Sequence, residues 1–189
     1  DSWQVLLGEP RFFLRAALFL RAALRSEKRD LDTRIGVGFG TVERINAERI
    51  SLSVGDAFTR SGRQLDTMGT SIGITVAVPL SGAQPFGWLQ PMTTLCSVAM
   101  NHWSERQAGI AVRMLAPGGA RQVDVALELD VSKQMVSKTL GAIEFGAMRS
   151  AIQWVEQGGW EADIAQPEFP PAQSHQPNSV NLLESTKIG

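Results

Sequence analysis

The chain is expected to be an α+β protein: a small sheet with helices on one face, followed by an all-helical half that contains a helix-turn-helix. Three observations predict this. Residues 1–80 alternate short strand-like runs with helical ones, in the order strand, helix, strand, helix, strand. From Met92 to Gln157 every segment has helical periodicity. Within that half, QVDVALELDVSKQMVSKTL (Gln122 to Leu140) has the cap, small residue, apolar spacing and polar face of two helices meeting at a tight bend. The chain therefore divides into an α+β unit over 1–80, a Gly/Pro-containing linker over 81–91, a helical unit over 92–157 and a tail over 158–189. The tail, with QPEFPPAQSHQPN at its heart, is too rich in proline and polar residues to fold alone and reads as disordered.

Ser2 to Leu7 is short and apolar, which suits a strand. Pro10 stands at a helix start, and Arg11 to Arg25 follows with helical periodicity. At about 100° per residue, Arg11, Arg15, Arg21 and Arg25 share an arc of roughly 120°, opposite Phe13, Ala16, Ala17, Leu20 and Leu24. That stripe reads as a solvated helix face, with nucleic-acid binding as the alternative. Asp30 and Asp32 fit a polar turn. TRIGVGFGTVE (Thr33 to Glu43) alternates Ile35, Val37 and Phe39 with Gly36, Gly38 and Gly40, a strand with one apolar face. A dinucleotide-binding loop would place its glycines after the strand, at a helix start. Here they lie within it, so they serve to let a helix or ligand approach one face closely. Ala47 to Val54 reads as a loop or short strand, Gly55 to Met68 as a helix, and Ser71 to Val78 as the last strand, ending at Pro79. The sheet so assembled is one hairpin short of a complete unit.

Five helices follow, at about 92–103, 105–116, 120–129, 132–140 and 142–157. Trp103, Ile110, Leu115, Ile143, Phe145, Ile152 and Trp154 are the expected core of that half. The single cysteine, Cys96, rules out an intrachain disulfide, suits a reducing cytoplasm and reads as a small buried residue. His102, expected on a helix beside Trp103, and His175 lie too far apart for any familiar zinc spacing. No serine sits in a GxSxG elbow, and Asp56 and Asp66 face different directions on one helix, so no catalytic constellation emerges and no cofactor is expected. No apolar run is long enough to span a membrane, the best candidate, Phe12 to Leu24, being broken by Arg15 and Arg21. A chain that opens on Asp1, without a methionine or a signal peptide, reads as a processed, trimmed or incomplete cytoplasmic product.

The helix-turn-helix carries the functional expectation. Val125, Leu129, Val131, Val136 and Leu140 form the apolar seam, Ala126 lies where the helices nearly touch, and Asp130-Val131 makes the bend. The Ser132 hydroxyl can cap the second helix at Gln134 or Met135. With the seam buried, Ser132, Lys133, Gln134, Ser137 and Lys138 face outward, and these residue types bond phosphates and base edges. Gln122 and Ser132 are expected on phosphates, with Arg121 and Arg149 as further local cations. The formal net charge is −1, and over 104–157 the cations are matched by an equal number of carboxylates. Affinity for double-stranded DNA must then come from local placement and from a homodimer that doubles the contacts. The pattern also fits a plain helical hairpin or a protein-docking module.

RIGVGFGTV (Arg34 to Val42) followed by GDAFTRSGRQL (Gly55 to Leu65) resembles the second half of class III nucleotidyl cyclase domains. There a glycine-bearing strand leads to a helix carrying Gly, then Asn, then Arg four residues on. The arrangement is similar to SatD-type bacterial regulators, which join such a sheet to a DNA-binding end, and the resemblance covers about residues 1–157. It implies a partial ferredoxin-like sheet. It also implies a nucleotide-binding vestige, in which Asp1 matches a metal-binding aspartate, Arg63 the phosphate-holding arginine, and Thr59 the asparagine position. The first metal aspartate would precede Asp1, so the resemblance implies a catalytically inactive sensing or assembly domain with a nucleotide as candidate ligand. The alternative is a fragment of a nucleotidyl cyclase with a regulatory helical end. The helical half also resembles the DNA-reading modules of sigma factors and response regulators, with WSERQAGIAVRML (Trp103 to Leu115) as the supporting helix. GAIEFGAM, after the second helix, lacks the basic residues that many of those modules carry.

Overall fold

The computed structural model describes residues 3–46, 48–78 and 86–159. Asp1, the 81–85 part of the expected linker and the tail from residue 160 lie outside the described residues. The fold mixes helices with a two-stranded parallel sheet.

Trp3 to Leu7 forms no strand, contrary to the sequence expectation, and stays exposed. A short 3-10 turn, Pro10–Phe12, with proline at its first position, then leads into α1 (Phe13–Glu27). Its buried side comprises Phe13, Leu14, Ala17, Leu18 and Ala22 together with Arg21 and Arg25. The arginine stripe is therefore not a solvated face. Arg21 uses all five of its N–H donors: Nε and Nη2 on the Asp32 carboxylate, Nη1 on the Ser97 carbonyl (2.9 Å) and hydroxyl (3.1 Å), and Nη2 also on Asn101 Oδ1 (2.9 Å). Arg25 donates to Asp32 (2.9 Å) and to the carbonyls of Asn101 and Trp103 (3.0 Å each). Arg15 is also engaged, clamping Glu156 at the end of the last helix among the described residues. A buried guanidinium is tolerable only when its charge and most of its donors are met, and here a carboxylate and three backbone carbonyls do so, leaving the Arg25 Nε as the one guanidinium nitrogen of the two without a partner among the described residues.

The strands β1 (Ile35–Gly38) and β2 (Ile74–Ala77) pair in parallel, Ile35 opposite Ile74 and Val37 opposite Val76, with helix α2 (Asp56–Thr67) as the crossover. The alternating glycines explain how α2 sits on this sheet. A Cβ on Gly36 would lie 2.4 Å from the Ser61 carbonyl oxygen, one on Gly38 2.2 Å from that of Ala57, and one on Gly40 2.8 Å from the Ala57 nitrogen. The helix backbone rests directly on the glycine face. Between β1 and α2 the chain makes an antiparallel bridge, Arg44 to Val54, and a 3-10 turn, Ile50–Leu52. The outer edge of β2 is closed by side chains of α3 (Leu89–Met100): Ser97 Oγ accepts from the Gly73 and Ile74 N–H groups, and Gln90 Oε1 accepts from that of Val76. This leaves no room on that edge for a third strand.

α4 (Glu105–Leu115) lies along α1, and α7 (Phe145–Glu156) packs on both α1 and α6 (Lys133–Ala142). α5 (Gln122–Glu128) completes the helical half. One contiguous core runs from Phe13 and Ile74 through Leu89, Met100 and Trp103 to Ile110, Val136, Phe145 and Ile152. Two expectations for individual residues fail. Trp154 is 53% exposed, its ring resting on Trp88 at 4.3 Å between centroids. His102 sits in an exposed turn after α3 instead of on a helix.

Candidate functional site

Ser104 starts α4 with a reciprocal capping box: its hydroxyl accepts from the Gln107 N–H, and the Gln107 side chain accepts from the Ser104 N–H. Ala108, Ile110, Ala111 and Leu115 bury one face. The chain then turns through Pro117-Gly118-Gly119 into α5, which presents Val125 and Ala126 to the core. α4, α5 and α6 touch one another pairwise.

The connection from α5 to α6 follows from local chemistry. Asp130 takes a left-handed conformation (φ 51°) just after the end of α5. The Val131 N–H then bonds the Ala126 carbonyl (3.0 Å) and the Asp130 N–H that of Leu127 (3.3 Å), the paired bonds that close a helix end with a left-handed residue. Aspartate tolerates this conformation better than most side chains. Val131 folds back against the core, and the Ser132 hydroxyl accepts from the Met135 N–H (3.1 Å) to open α6. Val136 and Leu140 are buried and Leu129 half-buried, so the apolar seam lies inward.

The opposite side of α6 is left bare. Ser132, Lys133, Gln134, Ser137 and Lys138 are all exposed. Neither lysine forms an ion pair among the described residues. Gln122 is half-buried. Arg121 is exposed and bonds Asp124 through both Nε and Nη2 (2.8 Å each). That pairing raises the arginine's pKa and, through the same hydrogen bond, lowers that of the aspartate. Such an exposed pair contributes little and opens readily. Arg149 lies on α7, exposed. One cation escaped sequence reasoning. The exposed Arg106 on α4 places its guanidinium against Met135 in the first turn of α6, a contact across 29 residues that no local pattern encodes.

The other candidate set is not assembled. Thr59 and Arg63 lie one turn apart on the exposed side of α2, while Asp1 is outside the described residues. Among the described residues no group of three or more histidine, cysteine or acidic side chains is placed to hold a metal ion. Cys96 is buried, and burial pushes its thiol up to about 11, which makes it a poor nucleophile at neutral pH. No helix of the described residues is long and apolar enough to cross a membrane. Compared with protein-family models, with curated proteins and with solved structures, the chain matches none.

Proposed function

We propose that this protein is a DNA-binding transcriptional regulator in which α5 and α6 act as a helix-turn-helix and α6 enters the major groove. The observation that carries the reading is the capped α6 itself, with its apolar seam inward and a polar ridge of Ser132, Lys133, Gln134, Ser137 and Lys138 exposed. The open N–H groups at the start of a helix favour a phosphate. Lys133 supplies charge at that end, Lys138 adds charge about one and a half turns further along the exposed side, and Arg106 adds to it. Gln134 is the side chain suited to bidentate reading of adenine, and Gln122 and Arg121 hold the flanking backbone. The neutral charge balance of this half makes a single copy a weak binder, so the regulator acts as a homodimer on two half-sites.

In the same reading the strands, α2 and the loops around them are a partial ferredoxin-like, cyclase-like domain of a SatD-type regulator. It works in sensing or assembly without catalysis, in the cytoplasm of a bacterial cell. The glycine-floored contact between β1 and α2 supports this, because it is the segment that carries the resemblance. Thr59 and Arg63 are its remaining nucleotide-facing groups.

The test starts from duplex DNA enriched from a random-sequence pool by the full chain, followed by fluorescence anisotropy at several salt concentrations. Lys133→Ala/Lys138→Ala should weaken binding to all sequences and flatten the salt dependence by about two units of log K per log salt. Gln134→Ala should cost about 1–3 kcal/mol at a single base pair and relax specificity there. No enrichment, or a lysine-free variant with unchanged salt dependence, overturns the proposal. Sedimentation that finds only monomer on a two-site duplex overturns the dimer.

A further inference from the structure

Between α1, α7 and the turn from α4 to α5 lies an open crevice of about 250 Å³. Its charged lining is of one sign: Arg15, Arg121 and Arg149. Its apolar lining is the half-buried Met114 together with the small exposed parts of Leu115, Phe145 and Ile152, which belong to the buried core.

Each arginine reaches the crevice from a different element. Arg15 is held by Glu156 at the back. Arg121 is tethered only by its exposed pair with Asp124, which a ligand can displace. Arg149 makes no ion pair or hydrogen bond among the described residues, so its donors are free for a ligand. The rim is the Gly118-Gly119 turn, with both glycines at positive φ (82° and 62°). A Cβ on Gly118 would touch nothing within 4 Å, so this side of the crevice is open for a ligand to approach the backbone. The N–H groups of Gly118 and Ala120 make no hydrogen bond among the described residues either, which adds anion-compatible donors to the rim.

We propose that this crevice binds a small amphiphilic anion, a carboxylate or phosphate carried on an apolar body about the size of a phenyl ring. The arginines and rim amides receive the anionic head, since guanidinium forks match both oxyanions. The apolar lining accepts the body, as in other small-ligand sites where a few polar groups orient a mostly hydrophobic contact. The size sits below the roughly 300–1,000 Å³ of drug-sized pockets, which excludes a whole dinucleotide. The binding claim itself is independent of any DNA role.

The test is an amide NMR titration of the full chain, without DNA, using phenyl phosphate and benzoate as probes. Benzyl alcohol and inorganic phosphate serve as controls. Saturable shifts centred on Gly118, Gly119 and Arg121 with either aryl anion, and at least about tenfold weaker binding to Arg149→Gln, are expected from the loss of a charge-assisted contact. Arg149 is exposed, and an unchanged spectrum away from the crevice shows that the variant is folded. Absence of saturable shifts, equal binding of benzyl alcohol, binding of inorganic phosphate as tight as that of the aryl anions, or an unaffected Arg149→Gln variant would each overturn the proposal.

Discussion

Replacing Asp32 with asparagine tests the account of the core most directly. The change preserves shape but removes the negative charge facing Arg21 and Arg25, whose side chains are 2% and 7% exposed. It also substitutes an amide N–H₂ for an oxygen where the arginines need acceptors. Removing one partner of a buried ion pair costs about 3–5 kcal/mol, because the other charge stays behind unpaired. Asp32 itself is 29% exposed, so water relieves part of the penalty and the lower end, about 3 kcal/mol, is expected. With a urea slope of about 2 kcal/mol per molar, the unfolding midpoint should fall by about 1.5 M. The thermal midpoint should drop by about 6–12 °C. Tryptophan fluorescence during urea unfolding reads the change, since Trp103 lies in the core beside this network.

The pH dependence of the same pair gives a second readout. Burial pushes the Asp32 carboxyl upward, but hydrogen bonds and charge from Arg21, the Thr33 N–H and Arg25 more than offset this and hold it below its usual value. A carboxyl depressed on folding contributes fully above its unfolded value of about 4 and loses that contribution as pH falls through the folded value. The gap in stability between the native protein and Asp32→Asn should therefore be constant from neutrality down to about pH 4 and narrow below it. A midpoint shift under about 0.25 M at pH 7, or a gap that does not change in acid, would mean the two guanidinium groups are hydrated and the reasoning is wrong.

Other outcomes follow from the same geometry. Gly38→Ala should destabilise by about 3 kcal/mol, because its Cβ would sit 2.2 Å from the Ala57 carbonyl and 2.5 Å from the Ser61 nitrogen, forcing α2 off the sheet. Gly62→Ala, on α2 with nothing within 4 Å of the new Cβ, should instead stabilise by about 0.5–1 kcal/mol; urea unfolding of the two variants must show opposite signs. Ser132→Ala should cost about 1 kcal/mol by freeing the Met135 N–H at the start of α6, seen as increased amide exchange there. Cys96 should resist thiol reagents at pH 8 in the folded protein and react on urea unfolding, with a rate that tracks loss of structure.

Most helices were legible in the chain because helix signals are local. Pro10, the Ser104 and Ser132 caps and the Asp130-Val131 bend each act within a few residues, and the observed ends fall close to those expected. The glycine alternation from Gly36 to Gly40 was also readable as a close-approach surface, although only the tertiary structure shows that α2 is what approaches. The exposed ridge of α6 came from the same short-range logic, since a seam at helical spacing dictates what the other side presents. Arg21 and Arg25 illustrate the opposite case. Amphipathic reasoning puts arginines in water, and only acceptors as much as 80 residues distant make their burial possible. Trp3–Leu7 has the composition of a strand but joins neither edge of the sheet, and the far edge of β2 is occupied by Gln90 and Ser97 side chains. The crevice of Arg15, Arg121 and Arg149 joins three segments that share no pattern. Backbone capping and periodicity act between near neighbours and so can be read along the chain, whereas charge compensation and edge closure depend on which distant groups packing brings together.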